Sequence, residues 1–466
     1  MATVRNASVI SLGLVLAALL GLSLGAERTL LFVPLMAILA AAAVVWRPQL
    51  AFQAVLVLAF TLGYVVYLFN LPSALEYLFN GLILIVVFAV MTQAALRKEV
   101  RWGSPLLVVW ILLVATTTIL NRNQGLASIQ SLATYFIFPL LYLALINMRM
   151  GPSTDRRIAK VLLVLAVVQA PVTLVQKYVF GLTNVDRIGG TLGRAATPQM
   201  AVLMAGLFAF LLSYLACYRL WKAFPVLLVP IIPMLMGEAK AGFFLASLGA
   251  AIVLALLVWQ GAPWRGIGVT AACIVLPLVV VYAAYRYFPA TVLPDSGNAP
   301  NFLRALFTKQ GFVEYMTGYR VGQANRLTAF EVVWRNLNDS RTLALGSGPG
   351  ALSTSTLLGQ AAEPAVAGLM WISSAGKYLL ETGLAGLSTF CLVVVSLIAQ
   401  TRRLARSPDT YQRVLGMTFV VTGVLFLVGG FYTSAWSSGR SLAVSFWTLA
   451  GLAFLETKRF KQGVSG

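Results

Sequence analysis

The chain contains no histidine. That removes the commonest general base near neutral pH and the commonest ligand of transition metals. Cysteine is nearly as scarce: Cys217, Cys273 and Cys391 each sit alone in an apolar run, so neither a disulfide framework nor a thiolate metal site is expected. Charge is scarce as well. Only 10% of the 466 residues are Asp, Glu, Lys or Arg, against about a quarter in a soluble domain. Acids are the rarer kind, 14 against 34 Lys and Arg.

What the chain has is apolar surface. The residues A, V, I, L, M, F, W, Y and C make up 59% of it, which excludes a disordered chain and a charge-rich coiled coil. A water-soluble fold would leave large apolar patches exposed, so the composition points to an integral membrane protein. The runs are unbroken rather than alternating, which selects helices over a barrel. A helix crosses the hydrocarbon in about 20 residues. Fourteen such runs begin near residues 8, 29, 50, 74, 104, 126, 158, 198, 222, 241, 267, 370, 415 and 440. The expected fold is all-α and polytopic with 12 to 14 transmembrane helices, the runs near 222, 370 and 440 being the least regular.

Alternating the loops from a cytoplasmic N-terminus puts 19 of the 34 basic residues on one side with four acids. Arg97-Lys98, Arg156-Arg157, Arg402-Arg403 and Lys458-Arg459 all fall there. This is the positive-inside pattern, with both termini cytoplasmic. It also accounts for the net charge of +20 without a nucleic-acid partner. The expected organisation is transmembrane helices over 1–180, helices with short outside turns over 181–288, a long outside loop over 289–367, and helices over 368–466.

Two outside segments stand apart. One is GLTNVDRIGGTLGRAAT at 181–197, with Asp186, Arg187 and Arg194. The other is the loop 289–367, which carries Arg304, Lys309, Arg320, Arg326, Arg335 and Arg341. Loops of this length without structure of their own are usually functional. Leu327, Phe330, Val333, Trp334 and Leu337 recur at helical spacing, predicting an amphipathic helix at the interface that ends at Asn338-Asp339-Ser340. Arg326 and Arg335 are nine residues apart and point to opposite faces of such a helix. Each arginine alone suits a phospholipid headgroup. As a set they suit a phosphate ligand, which guanidinium grips bidentately. Gly346, Gly348 and Gly350 form a GxGxG without a strand before it, so it reads as a plain loop or as a tight turn in close contact with a neighbour or ligand. Glu238 and Lys240 sit between two apolar runs, and Lys377 and Glu381 are spaced i,i+4; local ion pairs are the simplest reading of both. Outside acids available for base chemistry are Asp186, Glu238, Asp295, Glu314, Glu331, Asp339 and Glu363.

Four stretches between about 180 and 390 together resemble the O-antigen polymerase and ligase superfamily of membrane glycosyltransferases. Arg187-Ile188-Gly189-Gly190-Thr191-Leu192-Gly193 with Pro198 is similar to its R-x-x-G-T turn, Gln199 replacing the usual Asn. Gly237-Glu238-Ala239-Lys240-Ala241-Gly242 resembles its span opening, with Lys240 for Arg. Arg326 through Gly350, with Arg335 ahead of Gly346, resembles its long-loop segment, and Leu379 through Gly386 its L-x-E-x-G-x-x-G opening. One departure stands out: ligases carry a His shortly before that Glu, where this chain has Trp371-Ile372-Ser373-Ser374. This disfavours a His-dependent ligase and favours a polymerase.

The resemblance implies a GT-C-like fold in the bacterial inner membrane with a periplasmic long loop. It also implies metal-independent and cofactor-free transfer from an undecaprenyl-diphosphate-linked glycan, beside a possible chain-length regulator. Arg187 and Arg326 then stabilise the charge on the departing diphosphate. Asp186, Glu238 or Glu363 assists the acceptor hydroxyl. Arg194, Lys240, Arg335, Arg341, Gly346 and Gly348 complete the diphosphate site. A ligase or a flippase for lipid-linked sugars is the alternative.

Overall fold

The computed structural model describes residues 47–69, 75–121, 125–182, 187–193, 196–237, 239–287, 332–335, 337, 339–351, 372–436 and 439–463. The expected spans near residues 8 and 29 lie outside them. Among the described residues every regular element is a helix. In chain order these are α1 (Pro48–Leu68), α2 (Leu75–Leu96), α3 (Pro105–Leu120), α4 (Gly125–Asn147) and α5 (Pro152–Val167). α5 is prolonged by Gln169–Leu174 and a π turn, Val175–Val179. Then come α6 (Thr197–Tyr218), α7 (Ile231–Met236), α8 (Lys240–Trp259), α9 (Trp264–Tyr287), α10 (Ser340–Leu345), α11 (Ser374–Thr401), α12 (Thr410–Tyr432) and α13 (Arg440–Lys461). Eight helical stretches in the described residues are long and apolar enough to cross a bilayer. The protein is a polytopic membrane protein.

Several helices start where the chain supplies proline in the first turn, at Pro48, Pro105, Pro152 and Pro198. Proline lacks only an N–H that the first turn leaves unpaired anyway. The run near 222 behaves differently. It folds as a 3-10 stretch, Trp221–Leu228, followed after a turn by the six-residue α7. Pro225, Pro230 and Pro233 punctuate it, and proline inside a helix removes a backbone bond and clashes with the preceding turn.

Burial sorts the helices into layers. The most apolar windows of α6 and α12 are 72% buried, against 28% for those of α5 and α9. α13 lies in the interior, with Leu442 through Leu455 almost wholly enclosed. An interior helix need not match the apolarity of a lipid-facing one, and α13 carries buried Ser441, Ser445, Thr448 and Thr457. Ser445 and Thr457 donate back to the carbonyls of Ser441 (2.6 Å) and Ala453 (2.7 Å), which satisfies them without water. Around α13 the packing is aromatic: Phe426 stacks on Phe446 at 4.0 Å, and the Trp436 indole N–H donates to the Phe426 carbonyl at 2.7 Å.

The basic clusters meet at one end of the helices. Arg459 on α13 reaches Asp155 on α5 (2.5 Å), Glu456 (2.6 Å) and the Met150 carbonyl (3.0 Å). Gln412 on α12 donates to the second oxygen of Glu456 at 3.0 Å. Arg149 pairs with Glu99 at 3.1 Å, and the Arg406 guanidinium lies 3.5 Å from the centre of the Trp259 ring. Asp155 is fully buried, so the Arg459 cluster is a clamp joining α5, α12 and α13. Removing one member of a buried ion pair costs about 3–5 kcal/mol because its partner is left charged and unpaired. Arg459→Met should therefore lower thermal stability in detergent by a margin of that order, whereas Arg149→Met, at the exposed pair, should change it by roughly 1 kcal/mol or less. Equal melting temperatures for the two variants would refute the clamp.

Candidate functional site

At the opposite end, the structure gathers the described parts of the four stretches singled out above. The turn 187–193 is held by two glutamines from the far end of α5. Gln176 donates to the Gly190 carbonyl (2.8 Å) and accepts the Gly190 N–H (2.9 Å). Gln169 accepts the Thr191 N–H (2.8 Å) and donates to the Thr191 hydroxyl (2.7 Å). Gln176 thus stands in for a neighbouring strand at Gly190, while Gln169 pairs the N–H and the hydroxyl of Thr191, giving an irregular turn buried hydrogen-bond partners. Arg187 is exposed at the start of this turn.

The second stretch lies against the first. A Cβ on Gly237 would come within 3.1 Å of the Ile188 carbonyl oxygen and 3.2 Å of Thr197 Cγ2. Lys240 is the first residue of α8. A third set of contacts carries the end of α6 towards α11: Gly439 sits 3.3 Å by the same measure from the Gln199 amide carbon. The Ser374 N–H donates to the Thr433 carbonyl (2.9 Å), and the Trp436 N–H donates to the Ser374 hydroxyl (2.9 Å).

The GxGxG turn is clasped by α11. Ser347 and Gly348 donate their N–H groups to the carbonyls of Leu380 (2.8 Å) and Glu381 (3.0 Å). Those carbonyls are available because α11 breaks at Gly383, whose φ of 67° lies in the left-handed region that favours glycine. A side chain at Gly383 would also collide with the Ala344 carbonyl, and one at Gly346, with a φ of 75°, would collide with the Glu381 backbone. The fully buried Glu381 carboxylate completes the clasp. It accepts from the Tyr135 hydroxyl (2.7 Å) and the Ser131 hydroxyl (3.1 Å) on α4, and from the Gly350 N–H (3.2 Å). The Lys377 ammonium stands 5.7 Å from the centre of the Tyr135 ring. The i,i+4 ion pair read from the sequence therefore misses what chiefly surrounds Glu381, which is a junction of α4, α11 and the glycine turn.

Ahead of that turn, Val333 and Leu337 pack on Leu379 and Leu380, while Trp334 and Arg335 are exposed. Asp339, expected to end a helix, caps the next one: it accepts the Thr342 N–H at 2.7 Å. That hydrogen bond, first among the causes, holds its carboxyl below the usual range. Arg341 on α10 is exposed and donates to the Leu120 carbonyl at the end of α3 (3.4 Å). Gly348 lies against the Asn121 side chain.

Arg187, Arg335, Arg341, Gly346, Gly348 and the Lys240 backbone are thus at one end of the helices. Asp186, Arg194, Glu238, Arg326 and Glu363 lie outside the described residues, as does the Lys240 side chain. Among the described residues no three His, Cys, Asp or Glu side chains stand close enough to hold a metal ion. Chemically, the described site offers exposed guanidinium groups beside rigid turns, a setting suited to an anionic group. No family model matches the chain, and no curated protein matches it.

Sequence reasoning missed Gln169 and Gln176, although the signal was present: two amides seven residues apart, hence nearly one face, in an otherwise apolar run. The role of Glu381 predicts a distinct stability pattern. Glu381→Ala leaves three donors without their acceptor, each costing about 1–3 kcal/mol when buried. It should destabilise the protein by several kcal/mol and open the 339–351 segment to limited proteolysis. Glu381→Gln, which keeps one carbonyl acceptor, should do so less. Identical protease patterns for wild type and Glu381→Ala would rule out the clasp.

Proposed function

We propose that the chain is a membrane glycosyltransferase of the polymerase type. It joins oligosaccharide repeat units carried on undecaprenyl diphosphate, at the periplasmic face of the bacterial inner membrane. The observation that carries this reading is convergence: stretches far apart in sequence pair up, 187–193 on Gly237 and 346–350 on 380–383, and both pairs lie at the end of the helices opposite the basic clusters. On the positive-inside assignment that end is periplasmic, the long loop belongs to it, and both termini are cytoplasmic. A GT-C-like architecture, with a loop-built site at the outer ends of membrane helices, goes with this reading.

In the transfer, the bond between the anomeric carbon and the diphosphate oxygen breaks, and the electron pair leaves with undecaprenyl diphosphate. The acceptor hydroxyl oxygen bonds to the anomeric carbon, and its proton passes to a carboxylate, for which Asp186, Glu238 and Glu363 are the candidates. Arg187 and Arg326 are assigned to the charge growing on the diphosphate, with Arg194, Lys240, Arg335 and Arg341 around it. Gly346 and Gly348 keep the turn close to α11. Glu381 acts as a positioning residue, since its oxygens already accept three donors. A chain-length regulator is the protein partner this reading suggests.

The test is a gel of lipid-linked glycan from a deletion strain complemented with wild type, Arg326→Ala or Arg187→Ala. Single repeat units on undecaprenyl diphosphate should accumulate in the deletion strain, and only wild type should restore ladders. Loss of one charge-stabilising contact should slow elongation by about 10²–10³-fold. Full-length polymer held on undecaprenyl diphosphate in the deletion strain would mean a ligase instead. Repeat units trapped on the cytoplasmic face would mean a flippase.

A further inference from the structure

A cavity of about 860 Å³ runs between α5, α6, α12 and α13, and no residue of the glycine turn or of α11 lines it. Its walls are apolar, with Leu163, Leu207, Phe210, Leu425 and Leu449 along its length. On α6 it extends from Val202 to Tyr218, roughly 24 Å at 1.5 Å per residue. That exceeds the roughly 15 Å of one leaflet's hydrocarbon, half of the ~30 Å core. An extended acyl chain can lie in it along its whole length.

One end is chemically different. Arg156 and Lys160 of α5 stand there with Tyr218, Asp409 and Tyr411. The Arg156 guanidinium lies 5.1 Å from the centre of the Tyr411 ring. Asp409, the one carboxylate among the lining residues, uses an oxygen to accept the Gln412 N–H (2.9 Å) and so caps α12. Among the lining residues two cations stand against one helix-capping carboxylate, and Asp155 and Glu456, which also lie near Tyr411, are paired with Arg459. This mouth belongs to the end of the helices where the basic clusters gather, the end the charge pattern assigns to the anionic cytoplasmic leaflet.

We propose that this cavity is a binding site for one anionic phospholipid of the surrounding bilayer. Its acyl chain lies between α6 and α12, and its phosphate sits at Arg156 and Lys160. The lipid thereby fills the gap between α5 and α12 beside the interior helix α13. This inference is independent of the glycosyl-transfer reading, and the headgroup end of its site lies at the opposite end of the helices from that reaction.

The test uses the full-length protein in nanodiscs of phosphatidylcholine with or without phosphatidylglycerol. Lipid retained after transfer to detergent is counted by native mass spectrometry. Wild type should retain one phosphatidylglycerol in preference to phosphatidylcholine. Arg156→Gln with Lys160→Gln should weaken that retention roughly 30-fold, two basic side chains near an anionic headgroup being worth about that factor. Thr422→Trp, which fills the groove without touching its charges, should abolish it. If the double variant does not fold, the headgroup preference of wild type and the Thr422→Trp result still decide. Equal retention of the two lipids, a polyprenyl lipid in place of the phospholipid, or no bound lipid would overturn the proposal. So would a photocross-link from position 449 to residues 1–46, which would show the groove covered by this chain's own N-terminal segment.

Discussion

A polar group buried among membrane helices has no water to fall back on, and the glycine-turn end of this protein is organised by how one carboxylate meets that constraint. Glu381 is fully enclosed, yet both oxygens have donors: two hydroxyls from α4 and the Gly350 N–H. Because the donors come from different parts of the chain, satisfying the carboxylate fixes their relative positions. The break at Gly383 adds to this by freeing the carbonyls of Leu380 and Glu381 to hold the turn that follows α10. In water such a junction would gain little, since the competing state is solvated. In hydrocarbon the competing state is an unpaired buried group, and the junction becomes a strong constraint.

The same logic explains the other end. Arg459 bridges one oxygen of Asp155 and one of Glu456, Gln412 takes the other Glu456 oxygen, and together they tie the interior helix α13 to α5 and α12. Between the two polar ends α13 needs no exceptional apolarity, because neighbouring helices surround it. Its Ser445 and Thr457 bond to their own helix's backbone. The fold is thus an apolar layer sorted by burial and bounded by two polar networks, one rich in basic residues and one rich in glycine turns.

Much of this was legible in the sequence. Apolar runs near 50, 74, 104, 198, 241 and 440 open helices within two residues of those positions, because hydrocarbon thickness imposes the run length directly. The run near 222 was misleading since hydropathy counts proline as neutral, while Pro225, Pro230 and Pro233 decide its geometry. The interior position of α13 was not legible, because periodicity reports a helix and not its neighbours. Glu381 shows the same limit more sharply. Its nearest opposite charge in sequence, Lys377, suggested a local pair, while Ser131 lies 250 residues away along the chain. Gln169 and Gln176 were conspicuous as amides in an apolar run, but nothing local says that their partner is the turn around Gly190.

On the proposed reading, the composition and the geometry constrain the chemistry jointly. A chain without histidine has no neutral base that titrates near pH 7, which disfavours a route needing a strongly activated nucleophile. A reaction led by departure of the diphosphate has the opposite demand: little base assistance and fixed positive charge where the leaving group develops its own. Guanidinium suits that role because it stays charged near low-dielectric surroundings, where an ammonium can lose its proton. Fixed charge is useful only if it does not have to reorganise during the reaction. Arg187 leads into a turn held by two buried amides, and Arg341 lies on a helix whose C-terminal turn is clasped by Glu381. The cost of burying those polar groups is therefore what would make the arginines effective: rigidity supplied from inside the membrane is transmitted to the charges at its edge.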